Sequence, residues 1–198
     1  MRLGIAQLAV GRAGFRAAFA TTAVLLIAAC GSLPEPQQGS FALERFFAGT
    51  SVSSGSIATL GFWHETFTAR FTGVAEGDRM QLDERFRFAD GERLQRWDLR
   101  RVAPARYAGT VQTEGDDGAL SDPVPVDGRL TPDGAVLDYD GYAPGGNRLL
   151  LHFRHVMRER PDGTVANHVT ISKLGLPIAS SDVIFAKSTA ALPRPEER

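Results

Sequence analysis

The sequence predicts an all-β fold: an antiparallel up-and-down barrel of about eight or nine strands, preceded by a short N-terminal helix. Three observations lead there. After Gly49 the helical period disappears and apolar residues alternate with polar ones. Ala89-Asp90-Gly91, Pro132-Asp133-Gly134 and Pro161-Asp162-Gly163 repeat one hairpin-turn signature. Long strands joined mainly by tight hairpins suit closure into a barrel better than a two-sheet sandwich.

Residues 1–29 read as a secretory signal peptide. Arg2, Arg12 and Arg16 precede an apolar run over 17–29, and no acidic residue occurs before Glu35. That run is too short for a bilayer, which needs roughly 20 residues, but it suits a signal-peptide core. It ends in Ile27-Ala28-Ala29-Cys30, which matches a lipobox: an aliphatic residue, two small ones, then the cysteine whose thiol takes the lipid. Cys30 is the sole cysteine, so no intramolecular disulfide can form. Gly31 stands where an Asp would favour inner-membrane retention, so the expected location is the periplasmic face of the outer membrane. Residues 30–40 make the lipidated Cys and a Pro/Gly/Gln/Ser linker. The barrel domain is expected over 41–188, with a disordered tail over 189–198.

Within the domain, Phe41 to Ala48 can form two helical turns that Gly49 stops. Strands are expected at 63–74, 80–88, 92–101, 107–113, 124–131, 135–142, 149–160, 164–174 and 182–187. If Ala89–Gly91 is a three-residue loop, Phe86 faces Leu94, Glu84 faces Arg96 and Leu82 faces Asp98. Glu84 and Arg96 then form an ion pair on an otherwise apolar face. A two-residue Asp90-Gly91 loop opposes Arg85 to Arg96 instead, and like charges face to face are unfavourable. The Pro161–Gly163 loop places Met157 opposite Asn167, His155 opposite Val169, Phe153 opposite Ile171 and Leu151 opposite Lys173. His155, Asn167 and Lys173 are the polar members of that face.

A net charge of −1 with interspersed signs argues against nucleic acid as a partner. No G-x-S-x-G, Walker or dinucleotide fingerprint occurs, and no cofactor is expected. His64, His152, His155 and His168 lack metal-ligand spacing; His152 and His155 point to opposite sides of one strand. Asp138 and Asp140 flank Tyr139 and read as an exposed sheet edge. The candidate ligand-binding residues are Glu84, Phe86, Arg96, Trp97, His155, Asn167 and Lys173. For Glu84 with Arg96, a structural pair that sets strand register competes with head-group binding or a catalytic acid.

The stretch from Leu82 through Phe86 to Glu92, with Arg96 and Trp97, resembles a domain-of-unknown-function family of Gram-negative envelope lipoproteins. Phe46-Phe47-Ala48-Gly49, Tyr107-Ala108-Gly109, Ser172-Lys173-Leu174-Gly175 and Phe185-Ala186-Lys187 extend the resemblance. It implies a lipocalin-like barrel and no assigned activity. The chain departs from the family pattern over 112–142 and at Phe153-Arg154-His155-Val156-Met157. Gly61-Phe62-Trp63 is also similar to the G-x-W start of lipocalins.

These readings leave three function classes. The first is a barrel that binds a lipid or other apolar molecule. The second is an adaptor lipoprotein of an envelope complex, its barrel filled by its own 12 Phe, 2 Trp and 3 Tyr. The third, ranked last, is a lipid-modifying enzyme around Glu84, Arg96 and His155. Cavity size separates the first two: roughly 300 Å³ or more of apolar space favours binding, a solid core the adaptor. A tethered barrel is expected to be monomeric.

Overall fold

The structure, a computed structural model, describes residues 39–193. The expected signal peptide and lipobox with Cys30, most of the expected linker and the last five residues of the expected tail lie outside them. The barrel belongs to a compact unit spanning Pro34–Arg198; a second unit, Met1–Leu33, is outside the described residues.

One short helix, α1 (Leu43–Phe47), precedes ten strands: β1 (Gly49–Thr59), β2 (Trp63–Glu76), β3 (Arg79–Phe88), β4 (Gly91–Ala103), β5 (Arg106–Thr113), β6 (Val124–Thr131), β7 (Gly134–Gly141), β8 (Leu151–Glu159), β9 (Val165–Lys173) and β10 (Leu176–Ala186). Each pairs antiparallel with the next, and β1 pairs with β10, so the sheet closes. Closure satisfies both edges of every strand. Asp138 and Asp140 therefore do not mark an edge. On the outer wall Asp138 accepts from Arg154 at 2.9 Å and Arg129 at 3.3 Å, and Asp140 pairs with His152.

The count is ten because β1 is a strand that the alternation does not reveal. Its inward positions are Ser51, Ser53, Gly55 and Ile57, mostly too small to register as apolar. They face large neighbours: Ser51 opposes Phe71, Ser53 opposes Phe185, and Gly55 opposes Phe67 and Val183. A Cβ on Gly55 would collide with the Phe67 ring and the β10 backbone. Small residues on one strand make room for rings from the adjacent ones. At the other terminus, Thr189–Ala191 form a 3-10 turn.

Alternating hairpins give the barrel two different ends. α1 closes one end, where Gly39 also lies, near the β6–β7 turn. Phe47 packs against Phe71 and Phe185, with ring centroids 5.4 and 5.5 Å away. Gly73 lets the Phe47 carbonyl approach where any side chain would block it. Glu44 ties the helix to the wall: it accepts from Tyr107 Oη at 2.6 Å and Arg101 Nη2 at 2.7 Å. Partial burial and the Glu44 carboxylate push the Tyr107 phenol up to about 12. The opposite end carries the β1–β2, β3–β4 and β9–β10 hairpins and the longer β5–β6 and β7–β8 loops.

Two replacements test this plug. Phe47→Ala should lower unfolding free energy by about 3–5 kcal/mol, as for other buried Phe truncations. Glu44→Gln should cost about 1–3 kcal/mol by weakening the charge-assisted hydrogen bonds. Urea denaturation of both measures this, and a wild-type midpoint in each would mean that α1 is not seated on the barrel.

Candidate functional site

The β3–β4 hairpin decides which side chains enter the barrel. Phe88 pairs with Gly91, leaving a two-residue Ala89-Asp90 turn, so the register differs by one residue from the expected three-residue loop. A one-residue slip exchanges the faces of a strand. Asp83, not Glu84, therefore opposes Arg96, and they meet on the outer wall at 2.7 Å. The expected Glu84–Arg96 ion pair does not form. Glu84 opposes Gln95 inside, and Trp97 and Leu99 point inward where Arg96 and Asp98 were expected to. The Pro132–Gly134 turn contracts in the same way, with Thr131 pairing Gly134.

The β8–β9 hairpin has the expected register: Met157 opposes Asn167, His155 opposes Val169, and Phe153 opposes Ile171. Gly163 adopts φ 78°, and Asp162 accepts from the Thr164 amide at 2.9 Å. These contacts lock the three-residue loop.

A polar cluster results within an apolar interior. Trp97 Nε1–H donates to Glu84 Oε2 at 3.2 Å, and the indole meets Tyr139 and His155 edge-on at 5.4 and 5.9 Å. Tyr139 stacks between Phe153 and His155. Gln95 Nε2–H donates to Thr113 Oγ1 at 2.9 Å and, more weakly, to Tyr139 Oη at 3.5 Å. Asn167 Nδ2–H donates to His155 Nδ1 at 3.2 Å. With Nδ1 accepting, the proton of the neutral imidazole sits on Nε2.

Burial sets the protonation of this cluster. Desolvation, opposed only by the Trp97 hydrogen bond, pushes the Glu84 carboxyl up to about 8. Desolvation pushes His155 down to about 4, with Asp138 acting weakly against it. It also raises the Tyr139 phenol. At neutral pH Glu84 is thus mostly an uncharged acid and His155 a neutral imidazole, so the interior carries almost no charge.

The cluster lines a cavity of about 90 Å³, which Leu43 and Phe47 bound at the plugged end and Ile57, Phe88 and Pro144 at the other. Ile57, Phe88 and Pro144 are only partly buried, so the interior approaches solvent there. His155 Nε2, Asn167 Oδ1 and Ser181 Oγ are buried on this lining without a hydrogen-bond partner among the described residues. Phe86 forms part of the wall, stacked on Phe88 and edge-on to Phe67.

Of the residues singled out in the sequence, Glu84, Phe86, Trp97, His155 and Asn167 converge on the cavity. Arg96 and Lys173 do not. Arg96 is held by Asp83 outside, and Lys173 Nζ donates to the Leu150 carbonyl at the barrel rim. Sequence reasoning missed Gln95, Tyr139 and Ser181. The outer ladder signals the first: Arg87 with Glu92 and Asp83 with Arg96 pair in only one register, which also turns Gln95 inward. Gly61-Phe62-Trp63 forms an exposed hairpin tip.

In comparisons with known proteins, residues 24–187 match a family model described as Protein of unknown function (DUF3833). No curated protein matches the chain.

The two buried titrating groups give opposed pH dependences. Glu84 has a higher pKa folded than unfolded, so its contribution is fully present below about pH 4.5 and is lost as pH rises through about 8. His155 has a lower folded pKa, so its contribution is present above pH 6.5 and is lost as pH falls through about 4. The slopes oppose between pH 4.5 and 6.5. From pH 6.5 to 8 Glu84 acts alone, and stability should fall by on the order of 2 kcal/mol. Glu84→Gln should flatten that decline in denaturation measured across the range. A decline that persists in the variant would assign it to another group.

Proposed function

The chain belongs to the Protein of unknown function (DUF3833) family, which assigns no activity, and on that premise we propose that it is an outer-membrane-tethered periplasmic lipoprotein whose barrel binds the end of an apolar small molecule or lipid. The observation that carries the reading is the unsatisfied lining of the cavity. A buried polar group without a partner costs about 1–3 kcal/mol, and His155 Nε2, Asn167 Oδ1 and Ser181 Oγ all face one apolar space. A ligand with a carbonyl, hydroxyl or carboxyl beside an apolar body supplies what these atoms lack. The neutral Glu84 suits such a ligand, because it adds polarity without a buried charge.

The cavity volume limits the ligand. About 90 Å³ is well below the roughly 300 Å³ of a drug-sized pocket. The closed barrel therefore admits one end of a molecule. That same volume favours a second reading, an adaptor lipoprotein whose aromatic-filled barrel is a rigid body presented to an envelope partner. Lipid attachment at Cys30, carried by the lipobox, is common to both.

Native mass spectrometry and solvent extraction of a Cys30-substituted secreted form separate the two. The binding reading expects a co-purifying apolar molecule that is lost in a folded His155→Phe variant. A folded barrel without any such molecule supports the adaptor. Radiolabelled palmitate should enter the wild-type chain but not Cys30→Ser, and labelling of both would overturn the anchor assignment.

A further inference from the structure

The barrel's exposed apolar side chains are not scattered evenly. Leu60, Phe62 and Trp63 sit on the β1–β2 hairpin, and Leu174 and Leu176 on the β9–β10 hairpin. These hairpins are neighbours, because β1 pairs with β10 and the Leu60 amide donates to the Ile178 carbonyl at 2.8 Å. Leu149 and Leu150 continue the arc on the β7–β8 loop, joined to β9 by the Lys173–Leu150 hydrogen bond. Apolar tips thus occupy one side of the open end. The other side carries Asp90, Asp116 and Asp117 on the β3–β4 and β5–β6 connections.

The backbone at the tips points to a function for these leucines. Leu60 and Leu174 both adopt φ 50°, each followed by a glycine at positive φ. Hairpin turns of that shape favour Asn, Asp or Gly, which enter the left-handed region at little cost. Leucine is strained there, and it points into solvent: Leu60 is 64% exposed and Leu174 92%. Neither core packing nor turn formation accounts for a leucine at both positions.

We propose that this arc inserts into a lipid surface, bringing the open end of the barrel against a bilayer leaflet. Separate convex tips of Leu, Phe and Trp suit a fluid interface, which fills the gaps between them as a folded partner's surface does not. The tips themselves are uncharged, and the Arg and Lys side chains on these connections are engaged: Arg148 pairs with Asp117, and Lys173 bonds a carbonyl. Insertion therefore rests on apolar contact and does not require anionic lipid. The covalent layout permits it. The chain enters at the plugged end, and the nine residues from Cys30 to Gly39 reach at most roughly 30 Å. A tilted eleven-residue strand such as β1 rises about 28 Å. A lipid on Cys30 and the tips can thus sit in the same leaflet with the barrel inverted. This last step rests on the lipoprotein reading; insertion of the tips does not.

The test uses residues 34–198, the compact unit containing the whole barrel, which lacks Cys30 and everything before it. It should float with neutral phosphatidylcholine vesicles to a similar extent in low and high salt. Trp63 is 71% exposed while Trp97 is buried, so vesicles should shift the fluorescence to the blue in wild type and not in Trp63→Phe. Leu60→Asn with Leu174→Asn should reduce vesicle binding at least about tenfold. Asn relieves the left-handed strain, so the same double variant should keep or raise Tm, by about 2 °C. Val102→Asn, an exposed apolar residue near the plugged end, should bind as wild type does.

Three outcomes overturn the proposal: no flotation, flotation only with anionic vesicles at low salt, or self-association through the tips without vesicle binding. Flotation without a co-purifying ligand would leave the lipid-surface assignment standing and remove the ligand-binding one. A co-purifying ligand without flotation would do the reverse.

Discussion

Closure between β1 and β10 is the constraint on which the rest of this molecule depends. A ten-stranded barrel without it has two open edges and an interior exposed along a seam. The seam closes only because β1 presents Ser51, Ser53 and Gly55 inward, against Phe71, Phe185 and Phe67. Larger residues there would compete with those rings for one volume. The same small positions leave space for Phe47 of α1 to reach Phe71 and Phe185. Plug, seam and aromatic core are thus one packing solution.

Closure also explains the electrostatics of the interior. Strands that alternate in and out send nearly all their charges to the outer wall, where they pair as Asp83–Arg96, Arg79–Asp98 and Asp138–Arg154. Glu84 is the exception, buried with Trp97 as its donor and no cation beside it. Burial of a lone carboxylate is costly enough that the group keeps its proton instead. His155 responds to the same environment by losing one. Burial thus turns two potentially charged residues into neutral hydrogen-bonding groups at the cavity. The two ends of the barrel complete the picture, one bolted by Glu44, Arg101 and Tyr107, the other ringed on one side by apolar hairpin tips.

Much of this was legible in the residues. The β8–β9 register followed from Pro161-Asp162-Gly163, because glycine in the left-handed region and the Asp162 carboxylate both favour the three-residue loop. Ala89-Asp90-Gly91 shares the signature but forms a tighter turn, and its outer ladder of Arg87–Glu92 and Asp83–Arg96 outweighs the loop preference. Residue type alone marks Glu84 and Trp97 as site candidates, but the three-residue loop assigns Glu84 to Arg96, whereas it opposes Gln95. β1 went unseen because its information lies in the absence of bulk, which has meaning only beside the strands it faces. Tyr139 was identified only as the residue between two aspartates, since its role comes from stacking between Phe153 on β8 and His155.

The sequence by itself determined the β class, most of the strands, the helix before them and the family to which the chain belongs. Alternation, turn residues and short motifs are local, and local sterics suffice to express them. Only the tertiary structure decided that ten strands close, that Glu84 stands without Arg96, and that the polar atoms of Asn167, His155 and Ser181 share one small cavity. Those facts depend on register and on which strands become neighbours in space. A shift of one residue reverses a strand's two faces, and a single turn signature is compatible with either register.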